Sequence, residues 1–201
     1  MRVGIFGGSF DPVHYGHLLT VETAREEMRL DQVVFLPLGV PPHCKNLRTS
    51  GEDRFQMLVR AISSYSDFTI SRLELDSVET SYTARTLQRI RMERPKDELF
   101  FIVSSETFND MPNWYRPEQV CCLASLVIAR RAGYSSPNFS AFDGIVAPER
   151  LEVFKNQVVD SPLIGLSSTM IRKRIAQGRS VRFMTPDSVI EYIDAHNLYR
   201  I

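Results

Sequence analysis

Apolar residues fall along this chain in short runs, separated by longer stretches in which they recur every three or four positions. Residues 3–6 form such a run, ended by Gly7 and Gly8, and read as a strand entering a turn. From Gly16 onward Leu18, Leu19, Val21, Ala24, Met28 and Leu30 keep helical spacing. Residues 33–36 are a second strand, closed by Pro37, Gly39, Pro41 and Pro42. Ser50 caps the next predicted helix, with Glu52 and Asp53 in its first turn and Phe55, Leu58, Val59 and Ile62 as its buried stripe. Residues 68–70 are a short strand. Ser81 or Thr80 then caps a helix with Leu87 and Ile90 facing inward, and Pro95 follows it. Residues 99–103 are apolar throughout, as expected of a parallel strand covered on both faces, and residues 126–129 repeat the pattern.

The stretch 131–148 is rich in Gly, Ser and Pro and reads as a loop, with weaker strand candidates at 151–154 and 157–159. Two helices close the chain. One runs from Ser167-Ser168 to Gly178, a suitable C′ residue; the other has Thr185 as cap, Pro186 at its first position, Asp187 in its first turn, and Val189, Ile190 and Ile193 on one face. This alternation predicts an α/β fold with a doubly wound, mostly parallel sheet and helices on both faces. Ligands in such sheets bind beyond the C-terminal strand ends. Attention therefore goes to the loops after Phe6, Leu36, Val103 and Ala129. The Gly- and Pro-bearing segments 39–48 and 104–116 border that edge.

Composition narrows the class. The 201 residues suit one domain, 1–201, and carry 24 basic and 24 acidic side chains, so no bulk field favours nucleic acid. No apolar window is long enough to span a membrane, and the first residues are too short a run for a signal peptide. Three cysteines (Cys44, Cys121, Cys122) imply no disulfide framework, and the Cys121-Cys122 pair reads as small core residues. A reducing, cytoplasmic setting is expected. Twenty of the basic residues are Arg, which suits forked contacts to phosphate, although a genomic bias explains the excess equally well.

The chemistry concentrates in Gly7-Gly8-Ser9-Phe10-Asp11-Pro12-Val13-His14-Tyr15-Gly16-His17. Gly7 and Gly8 allow positive φ and close approach of a ligand to the backbone. A helix starting at Tyr15 or Gly16 offers free amides and a dipole to an anion. His14 and His17, three apart, lie on one side of it, and two imidazoles beside free amides make a phosphate cradle. The loop is neither a dinucleotide-binding fingerprint nor a P-loop. Plainer readings stand beside this one: a tight turn for the glycines, solvated histidines, or half of a metal site without a Cys or carboxylate at fitting spacing. Ser168, Thr169 and Arg172 make sense in the same way, as hydroxyls at a helix start with an arginine one turn in; an ordinary cap with a surface Arg is the alternative. Trp114, the only tryptophan, follows Met111-Pro112-Asn113 beyond the fourth strand, where it can stack on a planar ring or simply pack its loop.

Residues 8–17 resemble the signature of the nucleotidylyltransferase superfamily, the His-x-Gly-His motif. Pro41-Pro42-His43-Cys44-Lys45, Thr80-Ser81-Tyr82-Thr83, Trp114, Leu166-Ser167-Ser168-Thr169-Met170-Ile171-Arg172 and Pro186-Asp187-Ser188-Val189-Ile190-Glu191-Tyr192-Ile193 resemble bacterial nicotinate-mononucleotide adenylyltransferases, in the same order along the chain. The resemblance implies a Rossmann-like nucleotidyltransferase fold whose C-terminal helical segment, 163–201, completes the ATP site. It implies transfer of AMP from ATP to nicotinate mononucleotide, with Mg²⁺ accompanying ATP and no metal ligand among the protein side chains. His14, His17 and Arg172 would be catalytic. Gly7, Gly8, Ser9, Phe10, Gly16, Ser104, Glu106, Ser168 and Thr169 would join them on ATP. Ser9, Lys45, Tyr82, Thr83, Trp114, Tyr115 and Arg130 would hold nicotinate mononucleotide. Partners are then small molecules, with neither nucleic acid nor membrane, and a homo-oligomer is left open. Two places depart from the family pattern: Ser104-Ser105-Glu106 stands where Gly-x-Asp is usual, and Ala132 replaces a Pro after Arg130-Arg131. Adenylylation of nicotinamide mononucleotide or phosphopantetheine, and a nucleotide sensor without catalysis, are the alternatives.

Overall fold

The computed structural model describes residues 1–42, 47–131, 135–162 and 164–200. Six strands form one sheet: β1 (Arg2–Gly8), β2 (Gln32–Pro37), β3 (Phe68–Ile70), β4 (Glu98–Ser104), β5 (Ser125–Arg131) and β6 (Val158–Ser161). Their order is β3-β2-β1-β4-β5-β6, and every pairing is parallel. The chain order reverses between β1 and β4, which opens a crevice at their C-terminal ends.

The apolar runs are buried on both faces because the pleat divides each between two cores. Val3, Ile5, Leu99, Phe101, Val103, Leu126 and Ile128 pack on one side, against α3 (Thr83–Glu93), α5 (Pro117–Leu123) and α6 (Pro148–Lys155). Phe6, Val33, Phe35, Phe100, Ile102 and Val127 pack on the other, against α1 (Tyr15–Glu27), α2 (Gly51–Ile62) and α8 (Asp187–Ala195). Two further helices, α4 (Ser105–Asp110) and α7 (Ser168–Ala176), stand at the crevice. The doubly wound sheet expected from the sequence is thus found, wholly parallel. Among the described residues no helix is long and apolar enough to cross a membrane.

Several local expectations are corrected. Residues 151–154 are not a strand but part of α6, where Leu151 and Phe154, three apart, share the buried face and Val153 is exposed. The stripe of α2 is Met57, Leu58, Ala61 and Ile62 with Arg54; Phe55 is half-buried and Val59 faces outward. Neither Thr80 nor Ser81 caps α3. Tyr82 holds that position without a side-chain bond, because Thr80 bridges to Val40 and the Ser81 amide donates to the Val40 carbonyl. Thr185 does not cap α8, whose N-cap is Pro186. Residues 104–116 are largely helical rather than a loop. Of the cysteine pair only Cys121 is buried, and burial pushes its thiol up to about 12; Cys122 is exposed. Gly178 takes the positive φ expected of a C′ residue, 66°.

The corrected stripe is testable. Met57→Ala is expected to cost about 2–5 kcal/mol, and Val59→Ala less than about 1 kcal/mol, by urea denaturation. Equal losses would contradict the assignment of the buried face.

Candidate active site

Strand β1 delivers the loop 9–14 to the crevice, and side chains from distant elements hold its carbonyls in place. Arg54 Nη1 of α2 donates to the Ser9 carbonyl at 3.0 Å. Arg172 Nη1 of α7 donates to the Asp11 carbonyl at 2.7 Å, and Ser168 Oγ to that of Pro12 at 2.9 Å. Thr185 Oγ1 donates to the Val13 carbonyl at 2.8 Å, which is what this fully buried hydroxyl does instead of capping. The buried Asp11 carboxylate accepts from the Arg48 amide (2.7 Å), Thr49 Oγ1 (2.8 Å) and Tyr199 Oη (2.8 Å). Burial, with Asp11 adjacent, pushes the Tyr199 hydroxyl well above its ordinary range.

The loop turns at Phe10, whose φ is 48°. A non-glycine residue there is strained, and a completely buried ring offsets the strain by packing against Phe6, Phe35 and His17 at 5.7, 5.7 and 5.2 Å. Phe10 as a whole is buried, so it shapes the loop from beneath instead of offering a surface of its own. Gly7 and Gly8 do not supply the positive φ expected of them; they lie within β1. Gly8 is needed for another reason, since a Cβ there would meet the Phe10 ring at 2.9 Å.

His14 is the N-cap residue of α1 and His17 follows in its first turn. Their rings stack at 3.7 Å, inclined by 22°. The His14 amide donates to His17 Nδ1 at 3.2 Å, which puts the proton of a neutral His17 ring on Nε2. Gly16 makes room for this pair: a Cβ there would sit 3.0 Å from the His14 ring. Opposite stands α7. Ser167 caps it by accepting from the Met170 amide (3.1 Å), and Arg172 Nη2 donates to Thr169 Oγ1 (3.1 Å). The first motif and the residues of α7 are thus brought together. The arrangement offers N–H and hydroxyl donors at two helix N-termini, a setting for phosphate oxygens. Among the described residues no three His, Cys, Asp or Glu side chains gather as a metal-holding set.

At the end of β4, Ser104 caps α4, accepting from the Thr107 amide at 3.2 Å. Its extended backbone (φ −76°) has no need of glycine. Glu106 lies in the first turn of α4, and its Oε2 is enclosed without a hydrogen-bond partner among the described residues. Trp114 is oriented by its Nε1, which donates to Asp110 Oδ2 at 3.1 Å, and by edge contact with Phe101. Next to it Tyr115 lies against Tyr82, ring centroids 4.6 Å apart. The Tyr82-Thr83 and Trp114-Tyr115 segments therefore meet. Arg130 is engaged elsewhere, in a two-pronged pair with Asp160 at 2.7 and 2.9 Å. Lys45 and the stretch 132–134 lie outside the described residues.

Sequence reasoning missed Arg54, Glu74 and the anchoring role of Thr185. A charged residue on an apolar helix face was the available signal for Arg54, which is 2 % exposed. Glu74 is nearly as buried and accepts from Thr86 Oγ1 at 2.7 Å. Burial raises its carboxyl above the usual 4.5, against the pull of Thr86, Ser81, the Gly39 amide and Arg54. A carboxyl raised on folding contributes stability that is complete below its ordinary value and fades as pH rises through the raised one. Glu74→Gln is therefore expected to gain stability relative to the parent between mildly acidic and neutral pH, in thermal melts of both proteins. A difference independent of pH would contradict this.

Comparison with known proteins agrees with the geometry. The cytidylyltransferase-like family model matches residues 5–174. A protein of Thermus thermophilus named probable nicotinate-nucleotide adenylyltransferase is 42% identical over 202 residues, covering all of both chains. One of Desulfitobacterium hafniense with the same name is 39% identical, covering all of this chain and 96% of its own. Among solved structures, Plasmodium falciparum nicotinic acid mononucleotide adenylyltransferase complexed with NaAD superposes with a TM-score of 0.77 at 20% identity, covering 98% of this chain and 97% of that one. The chain belongs to the cytidylyltransferase-like family and stands within it among the nicotinate-nucleotide adenylyltransferases.

Proposed function

We propose that the protein transfers the adenylyl group of ATP to nicotinate mononucleotide, giving nicotinate adenine dinucleotide and pyrophosphate in NAD biosynthesis. The observation that carries this reading is the stacked His14–His17 pair at the start of α1, faced by an α7 that Arg172 and Ser168 tie to the same loop. Full-length relatives of that name support it.

A 5′-phosphate oxygen of the mononucleotide attacks the α-phosphorus of ATP, and the bond from that phosphorus to the pyrophosphate oxygen breaks. The attacking oxygen is already anionic, so no general base is needed. The protein's task is to position the reactants and neutralise charge. His17 Nε2–H and the His14 ring serve the phosphates at the reacting centre. Arg172 has guanidinium N–H groups beyond the two that it spends on Asp11 and Thr169; with Ser168, Thr169 and the α7 N-terminus it holds the departing pyrophosphate. The backbone of Gly7, Gly8, Ser9 and Gly16 lines the triphosphate, with the buried Phe10 setting the shape of the loop beneath it. Glu106, in the first turn of α4 at the end of β4, is assigned to a ribose hydroxyl, with Ser104 beside it. Trp114 stacks on the pyridine ring, and Tyr82, Thr83 and Tyr115 frame its carboxylate. Lys45, Ser9 and Arg130 are assigned to the mononucleotide; Arg130 must first yield part of its pairing with Asp160. The site's groups are donors that suit phosphate oxygens rather than a cation, so Mg²⁺ bound with ATP would take its ligands from the phosphates and water, where it offsets their charge. The substrates are small molecules, and the setting that fits this chemistry is the cytoplasm.

Pyrophosphate release from ATP and Mg²⁺ is to be compared for nicotinate mononucleotide, its amide and phosphopantetheine. Release with the acid far above the others is expected. Release with phosphopantetheine alone, or none from protein that binds ATP, would overturn the proposal. His17→Ala is expected to lower kcat about a hundred- to a thousandfold, and turnover near that of the parent would remove His17 from the centre.

A further inference from the structure

Tyr199 reaches the loop 9–14 from the far end of the chain. Its Oη donates to Asp11 Oδ1 at 2.8 Å, across 188 positions. Thr49 Oγ1 donates to the same oxygen at 2.8 Å, and the Arg48 amide to Oδ2 at 2.7 Å. The tail is bent to make this contact. The Leu198 amide donates to the Ile193 carbonyl at 2.9 Å, and Asn197 and Tyr199 take φ values of 52° and 62°. A left-handed φ is costly for a tyrosine, so the contact and the burial of the side chain hold it there.

Asp11 is gripped twice. Arg172 Nη1 donates to its carbonyl at 2.7 Å, while its carboxylate accepts from an amide and two hydroxyls, all neutral donors. A carboxylate on the residue that Arg172 already touches is a rival for that guanidinium. Charge-assisted pairs of the two groups are forked and stronger than neutral hydrogen bonds. Paired in that way, Arg172 would meet a phosphate with its charge already neutralised. Among the described residues Arg172 forms no ion pair, with Asp11 or with any other carboxylate. The lone pairs of Asp11 are taken instead. The buried Arg54, which holds the Ser9 carbonyl, feels the charge of Asp11 and supplies a countercharge. Tyr199 stands where the charges of both Asp11 and Arg172 are felt, though burial dominates the state of its hydroxyl.

We propose that Tyr199 is a positioning residue: by filling Asp11 Oδ1 together with Thr49, its hydroxyl keeps the Arg172 guanidinium available to the polyphosphate of ATP. A tail that only packed against the core would be served equally well by a phenyl ring. The task belongs to the hydroxyl, and it is felt on the ATP side of the site.

The role assigned to Tyr199 rests on the adenylyltransferase reading, and the experiment separates the two. Pyrophosphate release is measured against ATP and against nicotinate mononucleotide for the parent, Tyr199→Phe, Asp11→Asn and the double variant. Tyr199→Phe is expected to raise KM for ATP about three- to tenfold, the size of one hydrogen bond, and to change KM for the mononucleotide less than about twofold. Asn at position 11 carries no charge to draw Arg172; its carbonyl can accept from the Arg48 amide while its NH2 donates to the Thr49 hydroxyl. In that background Tyr199→Phe is expected to shift KM for ATP by less than about twofold. An unchanged KM for ATP in Tyr199→Phe, an equal rise in both KM values, or the same effect in both backgrounds overturns the assignment. Should Tyr199→Phe melt below the assay temperature, Thr49→Val removes the other hydroxyl on Oδ1 and is expected to give the same ATP-selective rise. A folded parent that releases no pyrophosphate with nicotinate mononucleotide rejects the adenylyltransferase reading instead, and ATP binding by calorimetry on the same four proteins then decides the role of Tyr199.

Discussion

Everything at this site depends on holding one loop by its carbonyl oxygens. A loop that presents amides and imidazoles to a polyphosphate must keep its own carbonyl dipoles from repelling the same anion. Here the carbonyls of Ser9, Asp11, Pro12 and Val13 are each bound by a side-chain donor, from Arg54, Arg172, Ser168 and Thr185. The donors come from α2, from α7 and from the turn before α8, so three parts of the fold must be in place before the loop has its shape. The Asp11 carboxylate adds Tyr199, next to the last described residue.

This arrangement explains why C-terminal helices matter to a site built at the end of the first strand. α7, which the proposed reaction would set against the phosphates, fixes the loop opposite through Ser168 and Arg172. Arg172 and Ser168 therefore hold the loop whatever they do for a ligand, and the proposed reaction would give them a second task. Replacing either disturbs the loop as well as the anion, and the two effects separate only when stability and turnover are measured on the same variant. Gly8 and Gly16 belong to the same constraint. Each is small because an aromatic or imidazole ring of the loop lies where its Cβ would be.

The fold was legible because the sheet is parallel and buried on both sides, so its strands are apolar runs that need no alternation to be recognised. The motif His14-x-Gly16-His17 and the cap at Ser167 were legible because their geometry is local. The errors share a cause: the competing partner was far away in sequence. Thr185 looks like a helix cap until Val13 is beside it, and Ser81 until Val40 is. Positive φ was assigned to Gly7 and Gly8, but a buried cluster of Phe6, Phe35 and His17 forces it on Phe10. Residues 151–154 offered too few positions to tell a helix from a strand. The burial of Arg54 and Glu74 depended on packing that no local pattern records.

The central claim is that this fixed loop positions the two substrates for direct transfer, with no protein group bonded to the adenylyl unit on the way. The stereochemical course at the α-phosphorus tests it most directly, with ATP made chiral by sulfur substitution at that phosphorus and the configuration of the dinucleotide product determined. A single in-line displacement predicts inversion. Retention would require two displacements, and so an intermediate on the protein, and would contradict the account.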